Sequence, residues 1–364
     1  MSSYKEILDN LRANHNFRSI PQGGTETGIV DMSGNDYLGL AADIDLKEEF
    51  FDSLRGDRPA MSASASRLLA SEQSEFQAFE KLLEMLYNAP ALLFNSGYHV
   101  NSGAIAALAK QNTLIVADKL VHASIIDGMV LSRAPFERFR HNDAEHLDRI
   151  LAKKAKEYEH VLIVTESVFS MDGDVAPLDR ISEAKKQYAN AMLYVDEAHA
   201  FGVMGRDGLG LAVDIPDVDF IVGTLGKAAA STGAFIICRQ PEMRDYLINS
   251  ARSLIFSTAL PPICACWSRF IVERIPGMYK RREKLAWLAK QLGKVLKVEN
   301  PSHIQPLITG SSASALELSA KLLEYGFKVL PIRTPTVPAG TERLRFSLSA
   351  NMNPDDIDRL SRVL

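Results

Sequence analysis

The sequence predicts an α/β protein, in which a large domain on a mostly parallel sheet precedes a smaller α+β domain. Between about residues 75 and 240, short apolar runs alternate with amphipathic stretches. The runs are apolar at successive positions, the pattern of strands covered on both faces. Beyond about residue 278 the order changes to helices beside two or three extended segments. Residues 1–40 read as an N-terminal helix and arm, 41–262 as the large domain and 263–364 as the small one.

In chain order, Ser74 to Tyr87 places Phe76, Phe79, Leu82, Leu83 and Leu86 on one helical face, with Ser74 and Gln77 spaced as a capping box. The expected strands are Ala91–Phe94, Thr113–Ala117, Val161–Thr165, Met192–Val195, Phe220–Val222 and Ala234–Cys238. His146 to Tyr158 and Leu178 to Tyr188 have helical periodicity. Met278 to Leu296 is a basic helix, and Ala313 to Tyr325 is a helix closed by Gly326. Phe327–Ile332 and Glu342–Ser349 are extended. A last helix follows Asn353-Pro354, a cap with proline in the first turn.

Composition narrows the function. Of 364 residues, 46% are apolar and 24% charged, which excludes disordered and fibrous classes. A net charge of −4 gives no strong pull on nucleic acid or an acidic membrane. No window holds the roughly 18 apolar residues of a membrane span. The opening stretch, Met1 to Phe17, is polar where a signal peptide is apolar. Three cysteines, Cys238, Cys264 and Cys266, cannot all pair and have no metal-ligand spacing. The expectation is a soluble, cytoplasmic protein with free thiols.

Four polar clusters fall at the ends of expected strands, where open α/β sheets bind ligands. Asn95-Ser-Gly-Tyr-His-Val-Asn-Ser-Gly103 follows Leu92–Phe94 and opens a helix, a start suited to an anion such as phosphate. An ordinary βα turn has the same look. Asp196-Glu-Ala-His199 ends Met192–Val195. It spells a helicase box, but the phosphate loop a helicase needs upstream is absent, and the Gly-Lys of Gly223-Thr-Leu-Gly-Lys227 lies downstream with no hydroxyl after the lysine. Lys227 sits between a strand and the small run Ala228-Ala-Ala-Ser-Thr-Gly233, too apolar for a solvated loop. A desolvated lysine has a depressed pKa and forms Schiff bases with carbonyls. A lysine of that kind, an aspartate to meet a pyridinium nitrogen and a phosphate turn are together the protein side of pyridoxal phosphate. His122, in Val121-His-Ala-Ser-Ile-Ile-Asp-Gly128, is a core histidine on its own and a ring-stacking group if a cofactor is present.

Taken together, the segments resemble the α-oxoamine synthases, a fold-type I pyridoxal phosphate family. The matching stretches are Asn35-Asp-Tyr-Leu-Gly-Leu40, Phe94-Asn-Ser-Gly-Tyr98, His122–Gly128, His141-Asn-Asp143, Ser170-Met-Asp-Gly-Asp174, Asp196–His199, Gly223–Lys227 and Arg343–Ala350, in family order over nearly the whole chain. The resemblance implies a decarboxylating condensation of an amino acid with an acyl-CoA, releasing coenzyme A and carbon dioxide. The spelling Pro335-Thr-Val-Pro-Ala-Gly-Thr341 points within the family to L-alanine, pimeloyl-CoA and biotin synthesis. Glycine C-acetyltransferase and serine palmitoyltransferase chemistry are the alternatives inside the family, and an aminotransferase is the alternative outside it.

It also implies roles. Lys227 holds the cofactor and removes the α-proton, Asp196 pairs with the pyridine nitrogen, and His122 stacks on the ring. His199 positions the phenolic oxygen and Thr224 the phosphate. Gly97 and Tyr98 line the phosphate turn, and Ser170 joins the cofactor set. Ser257 and Thr258 match a segment that reaches the phosphate of a second subunit, so a homodimer with shared sites is expected. Arg343 and Arg345 share a strand face. Motif matching gives the substrate carboxylate to Arg345, with Asn35 beside it, and counts Thr336 among the substrate-binding residues. The chain departs from the family's usual spelling at Met61-Ser-Ala-Ser-Ala-Ser-Arg67, at Phe76-Gln-Ala-Phe-Glu80 and at Asn351-Met352.

Overall fold

The computed structural model describes residues 3–20, 28–54, 56, 58–110 and 112–364, and part of the expected N-terminal arm, 21–27, lies outside them. The described chain forms two units. One comprises 38–169 and 175–282, the other 1–37, 170–174 and 283–364. The expected break at 262/263 therefore falls at 282/283. The helix Pro262–Arg274 stays with the large unit because Ala265, Phe270, Ile271 and Val272 are buried. The N-terminal residues join the smaller unit through a parallel pairing of Val30–Asp31 with Phe327–Lys328.

The large unit is built on seven strands: β1 Ala91–Phe94, β2 Thr113–Asp118, β3 Phe136–Phe139, β4 His160–Glu166, β5 Ala191–Asp196, β6 Phe220–Thr224 and β7 Ala234–Cys238. Their order across the sheet is β1-β7-β6-β5-β4-β2-β3. Only β7 runs against the rest, pairing antiparallel with both β1 and β6. All six expected runs are strands. β3 was not expected: its Phe-Glu-Arg-Phe sets two adjacent charges between aromatics and is half exposed, which an edge position allows. Because six strands run the same way, their carboxyl ends share one edge. The turns after Phe94, Asp118, Glu166, Asp196 and Thr224 all leave from it.

The helix Ser74–Tyr87 has the expected bounds and buries Phe76, Phe79 and Leu83. Its expected capping box does not form. The cap position is Gln73, whose side chain is drawn to the preceding loop, accepting from Arg67 Nε at 3.1 Å and donating to the Arg67 and Ala70 carbonyls. Arg67 lies over the Phe76 ring at 4.5 Å and makes a two-pronged contact with buried Glu80, at 2.9 and 3.2 Å. Glu80 also accepts the Leu93 N–H at 3.0 Å. So Phe76, within the departure, builds an aromatic seat for Arg67, and Glu80 its anionic anchor, tying the loop before this helix to the end of β1. Within the Met61–Arg67 departure, Ser64 takes φ of 51°, a left-handed conformation that glycine adopts more cheaply.

The smaller unit contains an antiparallel sheet of β8 Ile304–Ile308, β9 Leu330–Ile332 and β10 Arg343–Ser347, in the order β9-β10-β8. Helices Tyr4–Ala13, Ser312–Glu324 and Pro354–Ser361 belong to it, and the last begins as expected with Asn353 at the cap and Pro354 in the first turn, the Asn353 N–H donating to Asp356 Oδ2 at 2.9 Å. No helix among the described residues is long and apolar enough to cross a membrane. The turn 170–174 is bound within this unit: Asn300 donates to the Asp172 carbonyl at 2.7 Å, and Asp172 pairs with Arg343. Gly173 has φ of +70°, and a Cβ there would lie 2.0 Å from the Ile304 carbonyl oxygen. Gly173→Ala should therefore destabilise the protein by roughly 2 kcal/mol or more, read as a lowered urea midpoint. An unchanged midpoint would mean that the turn moves aside freely.

Candidate active site

One cavity of about 160 Å³ opens at the shared edge of the large sheet, lined by Gly97, Tyr98, Asn101, His122, Ser124, Glu166, Asp196, Ala198, His199, Thr224 and Lys227. Each strand end sends its next residues to it. After β1, Ser96 caps the helix Gly97–Leu108 by accepting the His99 N–H. The Gly97 and Tyr98 N–H groups have no acceptor among the described residues, and both residues line the cavity. After β2, His122 caps the helix Ala123–Ser132 with its ring Nδ1, which accepts the Ser124 N–H at 3.2 Å. At the end of β5, Asp196 and His199 are both 5% exposed. After β6, the Lys227 amine reaches His199 Nε2 at 2.7 Å.

Burial and neighbouring charge set the electrostatics. His122 is held below the ordinary imidazole range by burial and by the Lys227 cation, against the opposing pull of Asp196. An Nδ1 that accepts an N–H is the neutral ring this shift favours. Glu166 stands opposite Asp196 in the parallel register of β4 and β5, and accepts the His122 N–H at 2.5 Å. Burial first, then the Asp196 charge, pushes Glu166 well above the usual carboxylate range.

Pyridoxal phosphate, the group implied by the motifs, requires an anion cradle, an amine for its carbonyl and a carboxylate for its ring nitrogen. The unpaired N–H groups of Gly97 and Tyr98 and the Thr224 hydroxyl answer the first, Lys227 the second and Asp196 the third. The residues present fit the group. Larger hollows exist, such as one of about 730 Å³ among Phe50, Phe51, Leu54, Met61, Ile263 and Trp267, but they gather no comparable chemical set.

Not every expected residue comes to this cavity. Lys227, His122, Asp196, His199, Gly97, Tyr98 and Thr224 do. Ser257 and Thr258 do not line it; Thr258 forms a β-bridge with Ser66, and its carbonyl accepts from Asn95 at 2.5 Å. Ser170, Asn35, Thr336 and Arg345 belong to the smaller unit. There Arg345 donates to the Ser170 carbonyl at 2.5 Å and to Asn35 Oδ1 at 3.1 Å. Arg343 is committed to Asp172, whereas Arg345 meets no carboxylate among the described residues. Thr336 Oγ1 accepts from Arg18 at 2.7 Å. Asn101, Ser124 and Glu166 were not expected in the cavity. Asn101 is the one polar residue among Val100, Ala104, Ile105 and Leu108 on the buried side of its helix, and that anomaly is its sequence signal.

Residues 27–364 match the family Aminotransferase class I and II, and the chain belongs to it. Over 379 residues it is 44% identical to a Pasteurella multocida (strain Pm70) protein named "Putative 8-amino-7-oxononanoate synthase", covering 99% of this chain and 98% of that one. Among solved structures, it is 27% identical to a serine palmitoyltransferase from S. paucimobilis with bound PLP–myriocin aldimine, with a TM-score of 0.89 and coverage of 99% and 95%. The 8-amino-7-oxononanoate synthase of Francisella tularensis is 28% identical, with a TM-score of 0.78 and coverage of 93% and 97%.

Next to Asp196, Glu197 turns away from the cavity into the core. It accepts from Ser167 Oγ at 2.7 Å and from the Ala212 N–H at 2.5 Å. Burial outweighs these bonds and pushes its carboxyl up to about 7. The native state then binds a proton between the ordinary carboxylate range and pH 7 that the unfolded chain has released, so stability falls as pH rises through 7. The loss reaches about 3 kcal/mol at most. Glu197→Gln should flatten this part of the stability–pH curve in urea unfolding, whatever constant offset it adds. A slope equal to wild type would place the titration elsewhere.

Proposed function

We propose that the protein condenses L-alanine with pimeloyl-CoA to give 8-amino-7-oxononanoate, coenzyme A and carbon dioxide, as a cytoplasmic enzyme of biotin synthesis. The observation that carries the reading is the convergence of an amine, a buried carboxylate, two imidazoles and free helix-start N–H groups in one cavity. Pyridoxal phosphate, when bound, supplies an electron sink for the carbanion that forms at the amino acid's α-carbon.

The chain's own residues do the rest. Lys227 would hold the cofactor by its carbonyl carbon, and its amine in the neutral form would accept the amino acid's α-proton. His199, 2.7 Å from the amine, fixes where that proton acceptor lies. Asp196 keeps the ring nitrogen protonated. The neutral His122 ring offers a flat face to the cofactor without adding a second positive charge beside Lys227. Gly97, Tyr98 and Thr224 take the phosphate, and Arg345, with Asn35 beside it, takes the substrate carboxylate through a guanidinium free of carboxylate partners among the described residues. Ser170 serves through its carbonyl, which anchors Arg345. Thr336 adds a hydroxyl to substrate binding. In a homodimer, Ser257 and Thr258 reach the partner's cofactor phosphate.

The test is free-thiol release by the cofactor-loaded protein with L-alanine, glycine or L-serine against acetyl-, pimeloyl- or palmitoyl-CoA. Release should be fastest by far with L-alanine and pimeloyl-CoA. Preference for glycine with acetyl-CoA or L-serine with palmitoyl-CoA would reassign the substrates, and a keto acid formed without thiol would make it an aminotransferase. Arg345→Ala should raise the amino-acid KM at least about tenfold. An unchanged KM would remove Arg345 from the carboxylate site.

A further inference from the structure

We propose that Asn101 is a positioning residue that holds the Asp196 carboxylate and the His122 ring in one fixed arrangement, with Tyr194 deciding which way its amide faces. The inference deepens the cofactor reading above and rests on it.

Asn101 lies in the second turn of the helix that opens the anion cradle and is 1% exposed. An amide has two N–H donors and one carbonyl, and here each has a partner. One N–H goes to Asp196 Oδ2 at 2.7 Å, the other to Ser124 Oγ at 2.9 Å, and the carbonyl accepts from the Tyr194 hydroxyl at 2.8 Å. The direction of the chain of bonds is determined. The Tyr194 phenol is fully buried and pushed well above its ordinary range, so it stays a donor and pins the carbonyl side of the amide. Both N–H groups are thereby turned to Asp196 and Ser124. Ser124 Oγ lies 2.8 Å from His122 Nδ1, the ring nitrogen that already accepts the Ser124 N–H. A flipped amide would set a carbonyl oxygen against a carboxylate, so the phenol acts on Asp196 through Asn101.

The surroundings give the device a purpose. Two carboxyls, Asp196 and Glu166, face one another on adjacent strands, with His122, Lys227 and Tyr194 about them. Asp196 receives the Asn101 N–H and the Ala198 N–H at 2.9 Å, whereas among the described residues Glu166 receives only the His122 N–H. More donors on one member of a pair favour the charge there. Asn101 thus gives Asp196, the member assigned to the ring nitrogen, the larger share of the donors, while burial and the Asp196 charge push Glu166 well above the usual carboxylate range. Hydrogen bonds to a charged, buried group are the strong class, and removing one partner leaves the other exposed to the full desolvation penalty.

The experiment compares full-length wild type, Asn101→Leu and Tyr194→Phe. Apoprotein thermal midpoints report folding, fluorescence titration reports cofactor affinity, and the ¹⁵N shift of ring-labelled cofactor reports whether the pyridine nitrogen keeps its proton at pH 7. Asn101→Leu should weaken cofactor binding at least about tenfold and strip the ring nitrogen of its proton. Tyr194→Phe, which removes one oxygen, should shift both readouts in the same direction by a smaller factor. If Asn101→Leu does not fold, Tyr194→Phe decides alone. Affinities within twofold of wild type and an unchanged ring proton overturn the proposal, even where the midpoint falls, because that pattern is stability alone. Wild type that takes up no cofactor refutes the proposed function and this inference with it. Wild type that binds while the variants match it refutes only the positioning role.

Discussion

A negative charge buried at the carboxyl end of a central strand is the constraint around which the large unit is organised. Asp196 is 5% exposed, and its carboxylate oxygens receive an asparagine N–H at 2.7 Å and a backbone N–H at 2.9 Å, the partners a buried acceptor needs. The opposing carboxyl, Glu166, is pushed well above the usual carboxylate range by burial and by Asp196 itself. The neutral His122 ring follows from the same balance, since burial and Lys227 outweigh the attraction of Asp196.

The sheet makes this cluster possible. Parallel strands deliver the ends of β1, β2, β4, β5 and β6 to one edge, so residues more than a hundred positions apart meet without long loops. Their apolar bodies exclude water on both faces, which strengthens each polar contact at the ends. The small run after Lys227 leaves the lysine little side-chain bulk beside it, and its amine settles on His199. The smaller unit supplies a different element: a strand on which Arg343 is neutralised by Asp172 while Arg345 is held by carbonyl and amide oxygens. One arginine is paired with a carboxylate, and its neighbour two residues on meets none among the described residues.

Much of this was legible from the chain. Lys227, Asp196, His199, His122 and the Gly97-Tyr98 turn sit just beyond apolar runs, so local pattern alone sends them to one edge of the sheet. Ser124 was not legible, because it lies inside a helix and matters only through helix phase and strand register, and Asn101 showed only as the one polar residue on an apolar helix face. Glu166 closes an apolar run without a motif of its own. The edge strand Phe136–Phe139 was hidden because half-exposed edges tolerate charge. The start of the helix Ser74–Tyr87 was placed correctly for the wrong reason, since Gln73 answers to Arg67 rather than to a capping box. The domain boundary was displaced by twenty residues because a buried helix looks the same in sequence whichever unit it packs in. The family resemblance spans both units, and only the coordinates separate the committed Arg343 from Arg345.

The central claim is that the cavity at the sheet edge is a cofactor site whose covalent anchor is Lys227. Borohydride reduction of the cofactor-loaded protein, followed by peptide mapping, tests it most directly. The label should fall on Lys227 alone. A label on any other lysine, or cofactor that binds without being fixed by reduction, would contradict the account.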